Sequence, residues 1–161
     1  MKKITITQIS EKKIKAGNPL LQMEDFPNEL SFDEGELVEL VDSRQKFVAK
    51  AYLAKQNKGV GWVFSLDNAD SFNEAFFKKQ FEKAKRKRTD LQSDPETTTY
   101  RLFNAEGDGI PGVTIDHYDG FAVVSWYSEG IFRYQTAIIA AFQAVFPETK
   151  GIYEKFHYQR K

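Results

Sequence analysis

The sequence predicts an α+β protein in two parts, a small barrel of short strands over residues 1–70 and a leading helix with a compact α+β unit over residues 71–161. Three observations carry this division. Up to residue 70 the chain reads as short β-branched or aromatic runs separated by turn residues. After Ser71 the apolar spacing changes to a helical period. From Tyr100 onward strand-like runs return around one further helical stretch. A boundary near Asp67 to Asp70 follows.

In the first part, Ile4-Thr5-Ile6-Thr7, Leu37 to Val41, Phe47 to Tyr52 and Gly61 to Phe64 each suit a strand. Four to six short strands within about 65 residues imply a small barrel. Lys12 to Leu20 has few periodic apolar residues, and Gly17-Asn18-Pro19 stops whatever precedes it, so a single helical turn is expected there. Ser71-Phe72-Asn73-Glu74 has the spacing of a capping box, which starts a helix at Ser71. Phe77, Phe81, Ala84, Arg88 and Leu91 then form one stripe over about five turns, and Asp94-Pro95-Glu96 ends it. The second unit is read as strand Tyr100 to Phe103, a Gly-rich loop, strand Val113 to His117, strand Phe121 to Trp126, helix Phe132 to Phe146 and strand Ile152 to Phe156. Asp119-Gly120 is a hairpin signal, because a type I′ turn needs positive φ at both positions.

Composition narrows the function. With 41% hydrophobic residues the chain has material for a folded core, and 23 Lys+Arg against 23 Asp+Glu gives no net charge. A polyanion partner therefore has to be argued from local clustering of charge. The sequence contains no cysteine, which excludes zinc fingers, disulfides and a cysteine nucleophile within this chain and fits a reducing, cytoplasmic compartment. No run approaches the roughly 18 to 20 apolar residues needed to span a bilayer, so no membrane association is expected.

Gly107-Asp108-Gly109-Ile110-Pro111-Gly112 spells G-x-G-x-x-G after a probable strand. A dinucleotide fingerprint needs a helix immediately afterwards, whose amides hold the pyrophosphate, whereas Pro111 and the β-branched Val113-Thr114-Ile115 follow here. The loop reads as a tight connection. Glu106, Asp108, Asp116 and His117 supply metal-ligand or acid–base residue types, but Asp116 and His117 are neighbours on a strand and point to opposite faces. No catalytic and no metal-binding residue is assigned.

Basic residues concentrate in two places. Lys12, Lys13 and Lys15 precede Gly17-Asn18-Pro19, and the helix after Ser71 carries Lys79, Lys83 and Arg86 opposite its apolar stripe. Such a face is either a solvated surface, with Glu82 pairing Arg86 at i,i+4, or a contact for a phosphate backbone. The abundant aromatics fall mostly at packing positions. Trp62 and Tyr52 remain open as possible base-stacking residues.

The run from Tyr100-Arg101-Leu102 through Gly107-Asp108-Gly109-Ile110-Pro111-Gly112 to Asp116-His117-Tyr118-Asp119-Gly120 resembles the "YRL…GE.DGLPGL.VDRYG" segment of class I S-adenosylmethionine-dependent large-subunit ribosomal RNA (cytosine-C5) methyltransferases. Lys12 to Pro19 is similar to that family's basic segment ending in Gly-His-Pro, and Ile152-Tyr153-Glu154-Lys155 to its "IYER" run. The resemblance implies a PUA domain, an RNA-binding pseudobarrel, over residues 1–70. A β-β-α-β-β subdomain behind a leading helix follows over 71–161, with no Rossmann methyltransferase domain in this chain. It also implies rRNA as partner, contacted by Lys12, Lys13, Lys15, Gly17 and Asn18, with Lys79, Lys83 and Arg86 as an auxiliary surface. Catalysis and S-adenosylmethionine would belong to a C-terminal methyltransferase domain, in cis or in trans, and no cofactor to this chain. The family's His and Trp are replaced by Asn18 and Leu20. A stand-alone PUA-type RNA-binding module in translation or RNA modification is the alternative, and a protein-interaction module a third reading.

Overall fold

The computed structural model describes residues 1–56 and 59–159. In the first part, β1 (Lys2–Thr5), α1 (Gln8–Lys15), β2 (Leu20–Leu21), β3 (Leu37–Val41), β4 (Phe47–Leu53) and β5 (Gly61–Ser65) build one sheet in the order β1-β3-β4-β5-β2. The second part runs α2 (Glu74–Lys87), α3 (Thr89–Ser93), β6 (Thr99–Asn104), β7 (Val113–Tyr118), β8 (Phe121–Trp126), α4 (Glu129–Phe132), α5 (Gln135–Val145) and β9 (Gly151–Phe156), with a four-stranded sheet in the order β6-β7-β8-β9.

Where a small barrel was expected, the first sheet is open among the described residues. Its edges are β1, parallel to β3, and the two-residue β2, antiparallel to β5. β1 ends at Thr5 rather than Thr7, because Thr7 caps α1 by accepting from the Ser10 amide at 3.1 Å. The single turn expected at Lys12 to Leu20 is an eight-residue helix that starts earlier, at Gln8. Its inward face was hidden from a periodicity count because only Ile14 and the small Ser10 are buried, while Ile9 points to solvent.

Two cores meet at β4. Ile6, Ile14, Leu21, Val38, Leu40, Ala49, Ala51, Leu53 and Val63 pack in the first. Tyr52, Ala54 and Phe64 instead join the larger second core with Phe72, Phe76, Phe77 and Phe81 of the α2 region. β4 is therefore buried on both faces, which explains its near-continuous apolar run. Phe72 is the wedge, its ring 4.4 Å from Phe64 and 5.3 Å from Tyr52.

Helix α2 begins at Glu74, with Asn73 rather than Ser71 as its cap: Asn73 Oδ1 accepts from the Phe76 amide at 3.0 Å. Nor does the stripe run unbroken for five turns. The helix ends at Lys87 and Arg88 leaves helical geometry, so that Leu91 lies partly exposed on the separate turn α3. The helix expected over Phe132 to Phe146 is likewise two, α4 and α5. They divide where the Tyr134 hydroxyl donates to the carbonyl of Gly35.

Among the described residues the second unit is β-β-β-α-α-β after its leading helix, not β-β-α-β-β. β7 and β8 form the hairpin that Asp119-Gly120 predicts, with φ of 46° and 90° at the two turn positions. β9 runs parallel to β8. A parallel pair needs a long crossover, which α4 and α5 supply. No helix among the described residues is long and apolar enough to cross a membrane.

Candidate nucleic-acid interface

The turn after α1 is built by the local sequence. The Gly17 amide bonds the Ile14 carbonyl at 3.0 Å and the Asn18 amide the Lys13 carbonyl at 3.1 Å, the paired bonds of a Schellman ending. Gly17 sits at φ +100°, which L side chains adopt at a cost. Pro19 then prevents the helix from resuming. Asn18 Oδ1 accepts from the Leu20 amide at 3.2 Å, so its oxygen serves the turn and its Nδ2 is left to face a partner.

The three lysines of α1 are not equivalent. Lys13 Nζ lies 2.8 Å from Asp25 Oδ2, and the Asp25 side chain is only 7% exposed. Asp25 also accepts from the Gln22 amide, so Lys13 fastens α1 to the segment before β3. Lys15 pairs with Glu11 at 2.8 Å on the exposed helix surface, where such a pair is readily exchanged for another anion. Lys12 is exposed and makes no ion pair among the described residues.

A groove of about 200 Å³ opens beside this turn, between Ile14, Gly17 and Pro19 on one side and Val63, Ser65 and Leu66 on the other. Its far lip continues into α2. Ser65 Oγ bonds Asp70 Oδ2 at 2.6 Å, the buried Lys50 donates to the Asp70 carbonyl at 2.7 Å, and Lys79 approaches Asp70 Oδ1 at 3.5 Å. Lys79 lines a separate hollow with Asp70, Asn73 and Phe76, and Lys83 and Arg86 extend one and two turns further along the helix.

The basic run of α2 divides by direction. Lys78, Lys79, Lys83 and Arg86 are exposed. Lys85 caps α5 through the Val145 carbonyl at 2.9 Å. Arg88, part of the basic run by composition but on the apolar stripe by spacing, turns inward to Asp108. The Glu82–Arg86 pair expected at i,i+4 is not among the ion pairs of the described residues, so Arg86 keeps its charge available.

The Gly107 to Gly112 loop is filled by protein. The Gly109 amide bonds the Glu106 carbonyl and the Ile110 amide the Ala105 carbonyl. Ile110 is fully buried and Asp108 receives Arg88 at 2.7 Å. A Cβ at Gly109 would meet Gln80 Oε1 at 2.5 Å, and one at Gly112 the Tyr52 hydroxyl at 2.5 Å. Tyr52 itself is buried and donates to the Pro111 carbonyl at 2.7 Å, which makes it a packing residue and settles one of the two aromatics left open above. A methyl donor or dinucleotide does not fit this loop. Asp116 pairs with Arg101 at 2.6 Å, while His117 stacks on Tyr100 and accepts from the Gly120 amide. The carboxylates and the imidazole therefore serve separate contacts.

Residues 4–66 match a family model described as a PUA-like domain. Over 157 residues, 96% of its length, the chain is 40% identical to a Bacillus subtilis (strain 168) protein named "Putative ribosomal RNA large subunit methyltransferase YwbD", of which it covers 40%. It is 33% identical over 121 residues to the ribosomal RNA large subunit methyltransferase I of Cronobacter sakazakii, covering 30% of that protein. A solved structure described as a SAM-dependent methyltransferase from Streptococcus mutans superimposes on all of this chain with a TM-score of 0.91 at 40% identity, and the chain covers 44% of it. The second, SMU.776 complexed with SAH, gives a TM-score of 0.92. The chain spans less than half the length of these relatives.

Proposed function

We propose that this chain recognises ribosomal RNA on behalf of an S-adenosylmethionine-dependent methyltransferase whose catalytic residues lie outside it, with cytosine C5 as the methylated position. Residues 1–70 form the RNA-binding unit in this reading. Residues 71–161 position it against the catalytic domain and add the basic face of α2. The observation that carries the reading is Lys12, exposed and without an ion pair among the described residues, on the helix that ends at the Gly17-Asn18-Pro19 turn, in a segment that matches a PUA-like domain.

The test uses Lys12→Glu with Lys15→Glu and leaves Lys13 in place, since reversing Lys13 would break a part-buried pair and confuse folding with binding. Affinity for a large-subunit rRNA fragment is expected to fall about tenfold or more at low salt. The log–log salt slope should flatten by about 1 to 2, one ion equivalent per lost contact. Unchanged affinity and slope would remove α1 from the interface.

A second expectation follows from the filled Gly107 to Gly112 loop. Calorimetry with S-adenosylmethionine on this chain should show no binding, and no methyl transfer to RNA should occur. A micromolar donor site in the unmodified chain would contradict the placement of catalysis elsewhere.

A further inference from the structure

Trp62 packs against the edge of the second core without being enclosed by it. It is half-buried on β5, and its ring borders a cleft of about 270 Å³ between the two sheets, which Gln56, Asn104, Glu106, Thr114 and Tyr127 also line. That volume equals roughly nine waters at ~30 Å³ each. It suits one or two fused planar rings and falls short of the ~300–1,000 Å³ typical of larger ligands.

The walls are held in place from outside the cleft. Trp62 Nε1 donates to Gln56 Oε1 at 2.8 Å, which orients both groups, since an indole N–H can only donate. On the opposite wall His157 stacks on Tyr127 at 4.6 Å with the rings 10° apart, and the Tyr127 hydroxyl meets Thr114 Oγ1 at 3.5 Å. Arg101 donates to Asn104 Oδ1 at 3.3 Å, which leaves the Asn104 amide nitrogen as a donor. The Glu106 carboxylate is exposed and accepts no hydrogen bond among the described residues. A cleft with aromatic walls, amide donors at Asn104 and Gln56 and a carboxylate acceptor at Glu106 offers a flat ring both stacking and edge hydrogen bonds. The carboxylate repels phosphate, so the backbone of an RNA is excluded from the cleft while a base is not.

We propose that this cleft takes up a single unpaired nucleobase of the bound RNA, stacked on Trp62 and hydrogen-bonded at its edge by Asn104 and Glu106. This deepens the RNA-binding reading and rests on it. The site lies in the seam between the sheets, on the β5 strand that pairs with Leu20 just after the α1 turn.

The two tryptophans make the test direct. Trp126, the other one, is fully buried, with Nε1 bonded to Glu154, so emission that responds to ligand comes from Trp62. Titration of the chain with an unstructured mixed-sequence oligoribonucleotide at low salt should quench that emission, and a duplex of equal length should not. Trp62→Phe should abolish the quenching while the Trp126 signal continues to report a folded core. Tyr127→Leu, which leaves the reporter in place, should weaken binding. Stacking of one base is worth ~1–3 kcal/mol, so each variant should lose between about fivefold and a hundredfold in affinity. RNA binding with a normal salt slope but no Trp62 quenching, or undiminished affinity in both variants, would overturn the cleft and leave the RNA-binding reading intact. Absence of any RNA binding at low salt would overturn both.

Discussion

Asp108→Ala is expected to destabilise the chain by about 3 kcal/mol, the largest effect of any single substitution considered. Asp108 has a side chain only 4% exposed and is gripped by Arg88 at 2.7 Å and Lys87 at 3.2 Å. It also accepts from the Asn104 amide at 2.7 Å. Arg88 simultaneously donates to the carbonyls of Arg101 and Ala84. This one carboxylate therefore fixes the end of α2 to β6 and to the loop before β7. Its removal strips the largely buried Arg88 guanidinium of its counter-charge and the Asn104 amide of its acceptor, and these two losses account for most of the cost. Asp108→Leu with Arg88→Leu should recover most of the loss, leaving a deficit of about 1 kcal/mol for the orphaned amide. Urea unfolding of the three proteins measures both numbers.

The same carboxylate gives the stability a pH dependence of definite sign. Burial alone would push the Asp108 carboxyl up. The hydrogen bonds from Arg88, the Asn104 amide and Lys87 outweigh it and hold the group below its ordinary value of 3.8. A carboxyl depressed on folding contributes stability that is present above its unfolded pKa and is lost as pH falls through the folded one. The loss belongs below about pH 4, and Asp108→Ala should lack that component of acid lability.

The second large effect is expected on RNA. Lys79→Gln with Lys83→Gln and Arg86→Gln should change stability by less than about 0.5 kcal/mol, since all three are exposed and only Lys79 has a partner, at 3.5 Å. RNA affinity should nevertheless fall by about a hundredfold at 50 mM salt. Three phosphate contacts each contribute about 0.7 to 0.9 to the salt slope, so the slope should flatten by about 2. The geometry favours contact over mere solvation because neither Lys83 nor Arg86 is neutralised by an ion pair among the described residues.

Much of this was legible in the residues because short-range rules governed it. The Asp119-Gly120 hairpin, the stop at Gly17-Asn18-Pro19 and the inward stripe of Phe77, Phe81 and Ala84 are each set by neighbours a few positions away. The α1 helix was not legible, because a buried serine in place of an apolar residue erased its period. Asn73 displaced Ser71 as a cap because Phe72 is drawn into the core, a tertiary preference that a capping motif does not contain. Arg88 ended α2 for an equally distant reason, the carboxylate of Asp108. The open first sheet and the division of α4 from α5 also depend on long-range packing, as does the seam where Trp62 and Tyr127 share a cleft. In α1 the lysines were legible but not their pairing, which separates Lys12 from Lys13.

The measurement closest to the central claim is a salt titration of binding between the chain and a large-subunit rRNA fragment, from 50 to 200 mM monovalent salt. Lys12, Lys15, Lys79, Lys83 and Arg86 supply up to five phosphate contacts, which predicts a log–log slope of about −3 to −4. The triple Gln variant of α2 should reduce that slope to about half. Absence of binding at 50 mM salt, or a slope near zero that the variant leaves unaltered, would contradict an RNA-recognition role for this chain.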